Sequence, residues 1–249
     1  MRDSEHDGVK NVDAALEIIE YLASSDQQLG VREAARILDM PKSTVHRIFS
    51  SLLAKGVVKL DERSKQYQLD FGIVRLCHGF LENNDLISAS SPILRTIRDD
   101  TDETVCLNVR VGFQSIPVLQ FESREPIRWT LRVGVPQPLN LGAGGKLLLA
   151  FSDFADQTIV NQFASAWSQM KSQQFLEELK TIRDKRYAVS HAELNPGVTA
   201  LSVPIFSHRE VVAGIGLYGL DSRITDSVIS SYLDKMFKAA SQISHMLAG

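Results

Sequence analysis

Residues 40–53 read MPKSTVHRIFSSLL, and this stretch decides the fold of the 249-residue chain. Its apolar residues recur at the spacing that gives a helix one continuous apolar stripe. They are Val45, Ile48, Phe49, Leu52 and Leu53. Pro41 falls in the first turn, where proline is tolerated, and Gly56 follows as a C-terminal glycine cap. The stretch therefore predicts an amphipathic helix that ends just before Gly56.

The face opposite this stripe carries hydroxyls, one arginine and one histidine, and no acidic residue. The residues on it and beside it are Ser43, Thr44, His46, Arg47, Ser50 and Ser51. A helix that lies in the major groove of DNA requires such a face, because short Ser and Thr side chains allow close approach and bond to phosphates. Arg47 has the length to reach a guanine edge or a phosphate. The alternative is an ordinary amphipathic surface helix.

Two further helices precede this one. Helical spacing of apolar residues predicts a helix from Asn11 to Ala23 and a short one from Val31 to Leu38, separated by a polar break at 24–28. A tight turn at residues 39–41 then leads into the helix of the opening stretch. A short helix, a tight turn and a helix with an acid-free polar face indicate a helix-turn-helix.

A two-stranded wing follows the helix-turn-helix. Residues 57–60 and 67–69 predict two strands, and residues 61–65 predict the charged turn that joins them. Arg63 and Lys65 lie at the tip of this turn. We expect them to contact the DNA backbone or the minor groove.

Positive charge is concentrated in this N-terminal region. The whole chain has a net charge of −3, but residues 31–66 hold eight basic residues against four acidic ones, a local charge of +4. Neutralising the phosphates of DNA requires local positive charge of this kind, and the protein as a whole need not be basic. The predicted DNA contacts are Arg32, Lys42, Ser43, Thr44, His46, Arg47, Ser50, Arg63 and Lys65.

Composition excludes several other classes of protein. Apolar residues make up 44% of the chain and charged residues 23%, as in ordinary globular proteins. No stretch approaches the roughly 18–20 apolar residues that span a bilayer. The polar, acidic start at residues 1–10 is unlike a signal peptide, so we expect a cytoplasmic protein without membrane partners. Cys77 and Cys106 form no CxxC pair, and we expect small buried hydrophobic residues and no disulfide or zinc site.

A connecting helix is predicted from Phe71 to Glu82. It is apolar over a wide arc that includes Ile73, Val74, Leu76 and Phe80. A helix on the surface of a small domain cannot bury so wide an arc by itself, and a second copy of the chain is the natural partner. Two-fold symmetry would then present two recognition helices to two half-sites of DNA. The alternative is packing within one chain, between its domains.

The C-terminal part predicts an α+β domain. After a helix at 86–100, the apolar period changes from helical spacing to two. The predicted strands are 104–111, 116–121, 127–133, 198–205 and 211–218, with a loop at 134–140 and a terminal helix that begins after Thr225. Strands between flanking helices define this class. We expect a winged helix-turn-helix domain at 1–70, a linker and dimerisation helix at 71–84, and an effector-binding domain at 85–249.

A glycine-rich helix start offers a chemical site in this domain. Glycines 142, 144 and 145 precede an apolar helix predicted from Lys146 to Phe151. Free backbone N–H groups and the positive end of the helix dipole suit a carboxylate. The segment is not a P-loop, because Asn140 and Leu147 break that pattern. The alternative is that the glycines serve only a tight turn between a strand and a helix.

Three segments together resemble the IclR family of bacterial regulators. The first consists of residues 40–48 with the following Leu52 and residues 56–58. The second is residues 142–150 (GAGGKLLLA). The third is residues 186–190 (RYAVS), which lead to residues 193–198 (ELNPGV). They occur in the family's order and span nearly the whole chain. The resemblance implies a GAF-like sensor fold for the C-terminal domain, dimerisation through the linker helix, and a small organic acid as effector.

The resemblance also places an effector pocket. It implies backbone donors from Ala143, Gly144 and Gly145, and a lining formed by Ser190, Ala200, Gly216 and Tyr218. Acid-binding members of the family carry polar Asp, Cys and Ser side chains at the last four positions. The departure here favours a larger, partly apolar or aromatic acid, or its aldehyde or lactone, over a small acid such as glyoxylate. Trp129 and Cys106 are further candidates for the pocket, with the hydrophobic core as their alternative place.

An enzyme is disfavoured. The sequence contains no GxSxG, HExxH or Rossmann glycine pattern, and its six histidines lack the spacing of metal ligands. We therefore expect no catalytic residue, cofactor or metal. The prediction is a regulator that binds double-stranded operator DNA as a homodimer or a dimer of dimers and represses a catabolic operon until a carboxylate-like effector binds. An activator, or a regulator whose C-terminal domain only oligomerises, are the alternatives.

Overall fold

The computed structural model describes residues 9–24, 28–82, 84–163 and 169–248. The predicted polar start at residues 1–8, residues 25–27 of the predicted polar break, and Asn83 at the predicted domain boundary lie outside this description. The chain divides into two compact units, Met1–Asn83 and Asn84–Gly249.

The first unit is a helix-turn-helix with a wing. Its helices are α1 (Lys10–Ser24), α2 (Val31–Ile37), α3 (Lys42–Ala54) and α4 (Gly72–Glu82). Its strands are β1 (Val58–Asp61) and β2 (Gln66–Leu69), which pair antiparallel. Phe49, on the apolar stripe of α3, is fully buried and stacks on Tyr67 of β2 with ring centroids 4.0 Å apart. This stack attaches the wing to α3.

Helix α4 leaves several apolar side chains uncovered in the single chain. Ile73 packs against the core of the first unit, and the Arg75 guanidinium donates to the carbonyl oxygen of Lys55 at 3.0 Å. Three large apolar side chains of the helix are more than half exposed, namely Val74 (55%), Leu76 (65%) and Phe80 (57%), and so is Phe71 (82%) immediately before it. Cys77 is exposed too, so the expectation of a buried residue is wrong for this cysteine.

The second unit is a three-layer α+β domain. Its helices are α5 (Asp85–Thr101), α6 (Gly142–Ala150), α7 (Asp156–Phe163), α8 (Gln169–Lys185) and α9 (Asp226–Ala248). Its strands are β3 (Thr104–Val111), β4 (Gln114–Phe121), β5 (Gln137–Pro138), β6 (Ala188–His191), β7 (Val198–Ser207) and β8 (Glu210–Leu220). They form one antiparallel sheet in the order β5-β4-β3-β8-β7-β6. Helices α5 and α9 cover one face of the sheet, and α6, α7 and α8 cover the other.

The predicted strand at 127–133 is wrong. This segment is irregular, and side chains of the neighbouring strands bind its backbone in place of a ladder partner. The Thr104 hydroxyl donates to the carbonyl of Trp129 at 2.6 Å, and the Leu131 amide donates to the Gln120 side chain at 2.8 Å. The loop predicted at 134–140 instead contains the short strand β5, which pairs with the start of β4.

The predicted start of the glycine-rich helix is also wrong. Helix α6 begins at Gly142 and not at Lys146, so the glycines form its first turn. Gly142 has a φ of +73°. A Cβ on Gly145 would lie 2.5 Å from the carbonyl oxygen of Pro138, so only glycine allows α6 to approach β5 this closely. The whole first turn is buried.

Candidate functional site

The polar face of α3 lies in solvent. Lys42, Ser43, His46, Arg47 and Ser50 are all exposed, whereas Val45, Ile48 and Phe49 on the opposite side are buried. Within the described ranges, neither Lys42 nor Arg47 forms an ion pair. The face can therefore present its donors to a large partner without first breaking a salt bridge.

The serines on this face differ in how ready they are to bind a phosphate. The Ser50 hydroxyl donates to the carbonyl of His46 at 2.9 Å, and the Ser51 hydroxyl donates to that of Arg47 at 3.0 Å. Because phosphate oxygens only accept hydrogen bonds, each of these hydroxyls must rotate before it donates to one. Ser43 has no such bond to a described residue.

Thr44 is the one predicted contact on α3 that is partly covered. It is half-buried and borders a groove between α3 and α1, which Val12 and Leu16 also line. Arg47 lies at the rim of the same groove. Thr44 thus belongs to the edge of the polar face, whereas Ser43, His46 and Arg47 form its centre.

The wing presents two basic side chains at its tip. Arg63 is exposed, and Lys65 is exposed and forms a 2.5 Å salt bridge with Glu62. The Asp61 carboxylate accepts hydrogen bonds from the backbone amides of Arg63 and Ser64, which lowers the pKa of Asp61 and holds the turn. Arg32, on α2, is also exposed. The first unit therefore carries basic groups on α2, on α3 and at the wing.

Sheet register explains how distant pocket residues meet in the second unit. Ser190 pairs with Ala200, and Ala200 pairs with Tyr218, so the three lie side by side on β6, β7 and β8. Strand alternation turns Asn108 and Cys106 of β3 toward the same face of the sheet. Helix α6 packs against this face.

The first amides of α6 are already bonded to the protein's own side chains. The Gly142 amide donates to Glu193 Oε2 at 3.0 Å, and the Ala143 amide donates to Ser190 Oγ at 3.0 Å. Lys146 binds the other oxygen of Glu193 at 2.5 Å. The free donors that the sequence predicted at this helix start are therefore partly occupied, because Glu193 supplies a carboxylate from within the chain.

Lys146 holds two carboxylates. Its side chain is 4% exposed, and its Nζ lies 2.5 Å from Glu178 of α8 and 2.5 Å from Glu193. Both acids are partly exposed. The ammonium thus ties the start of α6 to α8 and to the segment that follows β6. Sequence reasoning missed this cluster, although a lone lysine in an apolar helix indicates a buried partner of opposite charge.

Tyr218 lies along β8 and covers Gly216. A Cβ on Gly216 would lie 2.5 Å from Tyr218 Oη and 2.6 Å from its ring, so glycine is required beneath the ring. Asn108, which sequence reasoning did not single out, donates from Nδ2 to Tyr218 Oη at 3.1 Å. Burial raises the pKa of Tyr218 above its usual range, so the phenol is protonated at neutral pH.

A small, partly open cavity remains between the helix start and the sheet. Its free volume is about 30 Å³, enough for one or two water molecules. Predicted residues that line it are Trp129, Ala143, Gly144, Gly145, Ser190, Ala200 and Tyr218. Leu194 lies against Gly142 and covers the helix start. A larger or aromatic acid would fit only if these covering side chains move.

Two predicted pocket residues do not line this cavity. Cys106 is fully buried in the core, where its thiol donates to the Gln120 side chain at 3.3 Å, and burial raises its pKa. Gly216 lies beneath the ring of Tyr218. Conversely, Asn108, Leu131 and Glu193 line the cavity without having been predicted. The alternation along β3 places Asn108 on the pocket face and was the one available signal for it.

Models of two known protein domains match this chain. Residues 12–62 match the family described as the IclR helix-turn-helix domain, and residues 78–245 match the bacterial transcriptional regulator IclR C-terminal family. The HTH-type transcriptional regulator BhcR of Paracoccus denitrificans is 29% identical over 97% of this chain and 88% of its own. KipR of Bacillus subtilis is 30% identical over 88% of this chain and 90% of its own. The transcriptional repressor AllR of Escherichia coli is 25% identical over 96% of this chain and 91% of its own.

Solved structures share the fold. An IclR transcriptional regulator from Alicyclobacillus acidocaldarius superposes with a TM-score of 0.83 at 23% identity, and it covers 97% of this chain and 100% of its own. An IclR homologue from Microbacterium hydrocarbonoxydans, in complex with 4-hydroxybenzoate, superposes with a TM-score of 0.78 at 15% identity over 95% of this chain and 98% of its own.

A helix-turn-helix with a separate α+β domain of this topology defines a class of DNA-binding transcriptional regulators. Both family matches lie within one such group and together span most of the sequence. The chain belongs to the IclR family of transcriptional regulators. The winged helix-turn-helix and the α+β class predicted from the sequence are confirmed. In the part of the chain that the structure describes, none of the helices combines the length and apolar character needed to cross a membrane.

Proposed function

We propose that this regulator represses a catabolic operon by binding operator DNA through α3 and the wing, and that a small organic acid or a related aldehyde or lactone releases or repositions it. The observation that carries the DNA-binding part is the exposed, acid-free face of α3 centred on Arg47. Arg32, Lys42, Ser43, Thr44, His46, Ser50, Arg63 and Lys65 complete the proposed contact surface. The names of relatives such as AllR support repression.

The effector is proposed to bind at the start of α6. The cavity there combines amides of a helix start with the apolar walls of Trp129 and Leu131, as a site for an organic acid requires. The 4-hydroxybenzoate complex of a structural neighbour supports an acid as the effector class. Because the cavity holds about 30 Å³, effector entry requires Leu194 and its neighbours to move away from Gly142.

Assembly is proposed to occur through α4. The arc of Phe71, Val74, Leu76 and Phe80 is exposed in the single chain, and a second copy would bury it. We propose a homodimer, or a dimer of dimers, that acts in the cytoplasm. Effector binding would favour one arrangement of the two recognition helices over another and so change operator affinity.

A gel-shift titration against the chain's own upstream DNA tests this function. We expect tight, salt-sensitive binding that Arg47→Ala weakens by roughly 10- to 100-fold, since a good arginine contact to a base contributes about 1–3 kcal/mol. Arg209→Ala, which removes an exposed arginine from the turn between β7 and β8, is the matched control and should bind as the wild type does. Equal binding by both variants would refute the assignment of α3.

The same titration with glyoxylate and with 4-hydroxybenzoate tests the effector. A reduction of operator affinity by either acid supports an acid effector that releases the regulator from its operator, whereas an increase contradicts release by that acid. A thermal-shift series with both acids then separates a sensor, which gains stability by mass action, from a domain that only oligomerises.

A further inference from the structure

Glu193 occupies the position at the start of α6 that suits an anion. Its Oε2 accepts a hydrogen bond from the Gly142 amide at 3.0 Å, and the first amides of a helix favour a negative charge. Among the described residues that line the cavity, Glu193 is the one acid. The chain therefore supplies this helix start with a carboxylate of its own.

A second, outer cleft lies on the other side of this carboxylate. Its free volume is about 310 Å³, and residues of α8 and of the start of α6 line it. Glu193 and Leu141 border both the outer cleft and the small cavity, so the Glu193 side chain forms part of the wall between them. Lys146 lines the outer cleft and binds Glu193 Oε1 at 2.5 Å. The outer cleft thus has room for the carboxylate beside the cation that already binds it.

The loop that carries Glu193 also carries the side chain that covers the helix start. A Cβ on Gly142 would lie 2.6 Å from Leu194 Cδ1, so Glu193 and Leu194 both lie against Gly142. The two are consecutive residues of the loop between β6 and β7. A movement of Glu193 away from Gly142 into the outer cleft therefore draws Leu194 along and enlarges the cavity.

We propose that Glu193 is an internal competitor of the effector. Its carboxylate holds the Gly142 amide in the ligand-free protein, and the carboxylate of an entering effector displaces it into the outer cleft, where Lys146 keeps it paired. The inference rests on the proposed effector site and adds to it a residue that sets the affinity for acids. It also accounts for a cavity of only about 30 Å³ at this site, since one movement removes the competitor and the covering Leu194 together.

Calorimetric titration of the full-length protein with glyoxylate and with 4-hydroxybenzoate tests the competition. For the acid that binds more tightly, Glu193→Ala should raise the affinity about tenfold, because apparent affinity scales with the fraction of molecules in which the site is free. Lys146 keeps Glu178 as a partner in this variant. Glu193→Gln keeps the shape of the side chain but loses its charge, so its affinity should rise less, about threefold. A carboxylate that only caps the helix predicts the opposite sign, a loss of affinity in both variants.

Glu178→Gln is the matched control. It removes a negative charge that lies 2.5 Å from the same Lys146, but it leaves Glu193 on the Gly142 amide. Because Glu178 is partly in water, the affinity of this variant should stay within about twofold of the wild type. An equal rise in Glu178→Gln and Glu193→Ala would show that lost negative charge alone explains the gain, which overturns the inference.

Two further outcomes separate this inference from the proposed effector site. If the wild type binds an acid and Glu193→Ala binds it less than about threefold more tightly, the competition is refuted and the effector class stands. If neither acid binds the wild type or Glu193→Ala, the effector class fails, and this inference fails with it. Binding by Glu193→Ala alone supports both.

Discussion

Helices α3 and α6 both begin with residues that the sequence predicts to bind a partner, yet the two starts have opposite environments in the structure. Around the start of α3, Lys42 and Ser43 are exposed. At the start of α6, Gly142 and Ala143 are buried, and their amides bond to Glu193 and Ser190. The start of α3 presents its polar groups to solvent, whereas the first backbone amides of α6 are hydrogen-bonded to side chains of the same chain.

This contrast shows what each kind of partner demands. A rigid double helix can approach an exposed face directly, so α3 needs no rearrangement beyond rotation of a serine hydroxyl. A small molecule must enter the interior, and the 30 Å³ cavity at α6 is too small until the covering residues move. Substitutions at the starts of the two helices should therefore change different properties of the protein. At α6 they should change stability without any ligand, and at α3 they should change DNA affinity alone.

The largest difference is expected between the lysines of the two helices. Lys146→Met leaves Glu178 and Glu193 without their shared cation, and we expect the free energy of unfolding to fall by about 3 kcal/mol. Lys42→Met removes an exposed lysine that has no ion pair among the described residues, so the change should stay within about 0.5 kcal/mol. Urea denaturation of both variants measures the two values.

The size of the expected loss of stability depends on how exposed Glu178 and Glu193 are. Because both are partly in water, the loss should be smaller than for a fully buried pair. A Lys146→Met protein as stable as the Lys42→Met protein would contradict a structural role for the lysine and its two acids.

A smaller difference is expected between two glycines. In Gly216→Ala the new Cβ collides with Tyr218 and Asn108, and overpacking of this kind lowers stability by about 1–3 kcal/mol. In Gly30→Ala, just before α2, the nearest atom is 3.9 Å away, so a loss below about 1 kcal/mol is expected. Thermal unfolding compares the two. Equal melting temperatures would show that Tyr218 does not depend on Gly216 for its place.

The sequence predicted the first region far better than the second. Helix α3 and the wing strands follow from local periodicity, since each apolar residue of the stripe lies within a few residues of the next. At α6 the decisive partners are remote in sequence. Glu193 is 51 residues from Gly142, and Ser190 is 47 residues from Ala143. Only the register of β6, β7 and β8 brings such residues to the helix, and spacing along one chain does not reveal register.

The wrong strand at residues 127–133 has a related cause. Ile127, Trp129 and Leu131 alternate as a strand would, and Trp129 and Leu131 are indeed half-buried. The backbone, however, bonds to side chains of Thr104 and Gln120. Alternation of apolar residues indicates which side chains are buried, but it does not indicate which groups form hydrogen bonds with the backbone.

Two serines provide a finer comparison. Ser190→Ala removes the acceptor of the buried Ala143 amide, and an unsatisfied buried donor lowers stability by about 1–2 kcal/mol. Ser50→Ala removes only a hydroxyl bonded to its own helix, so stability should change by less than about 0.5 kcal/mol. Operator affinity should show the reverse order. If Ser190→Ala is as stable as wild type, water replaces the hydroxyl at the helix start.

The smallest effect is expected at the wing, where it appears as salt dependence. Arg63→Ala should reduce the slope of log affinity against log salt by about 0.9, because one phosphate contact is lost, and affinity should fall roughly threefold. Lys65→Ala should have a lesser effect, since Lys65 must exchange its salt bridge with Glu62 for the phosphate. Arg209→Ala, in the second unit, should leave the slope unchanged. Gel shifts at several salt concentrations measure it, and an unaltered slope for Arg63→Ala would mean that the wing tip does not touch the DNA backbone.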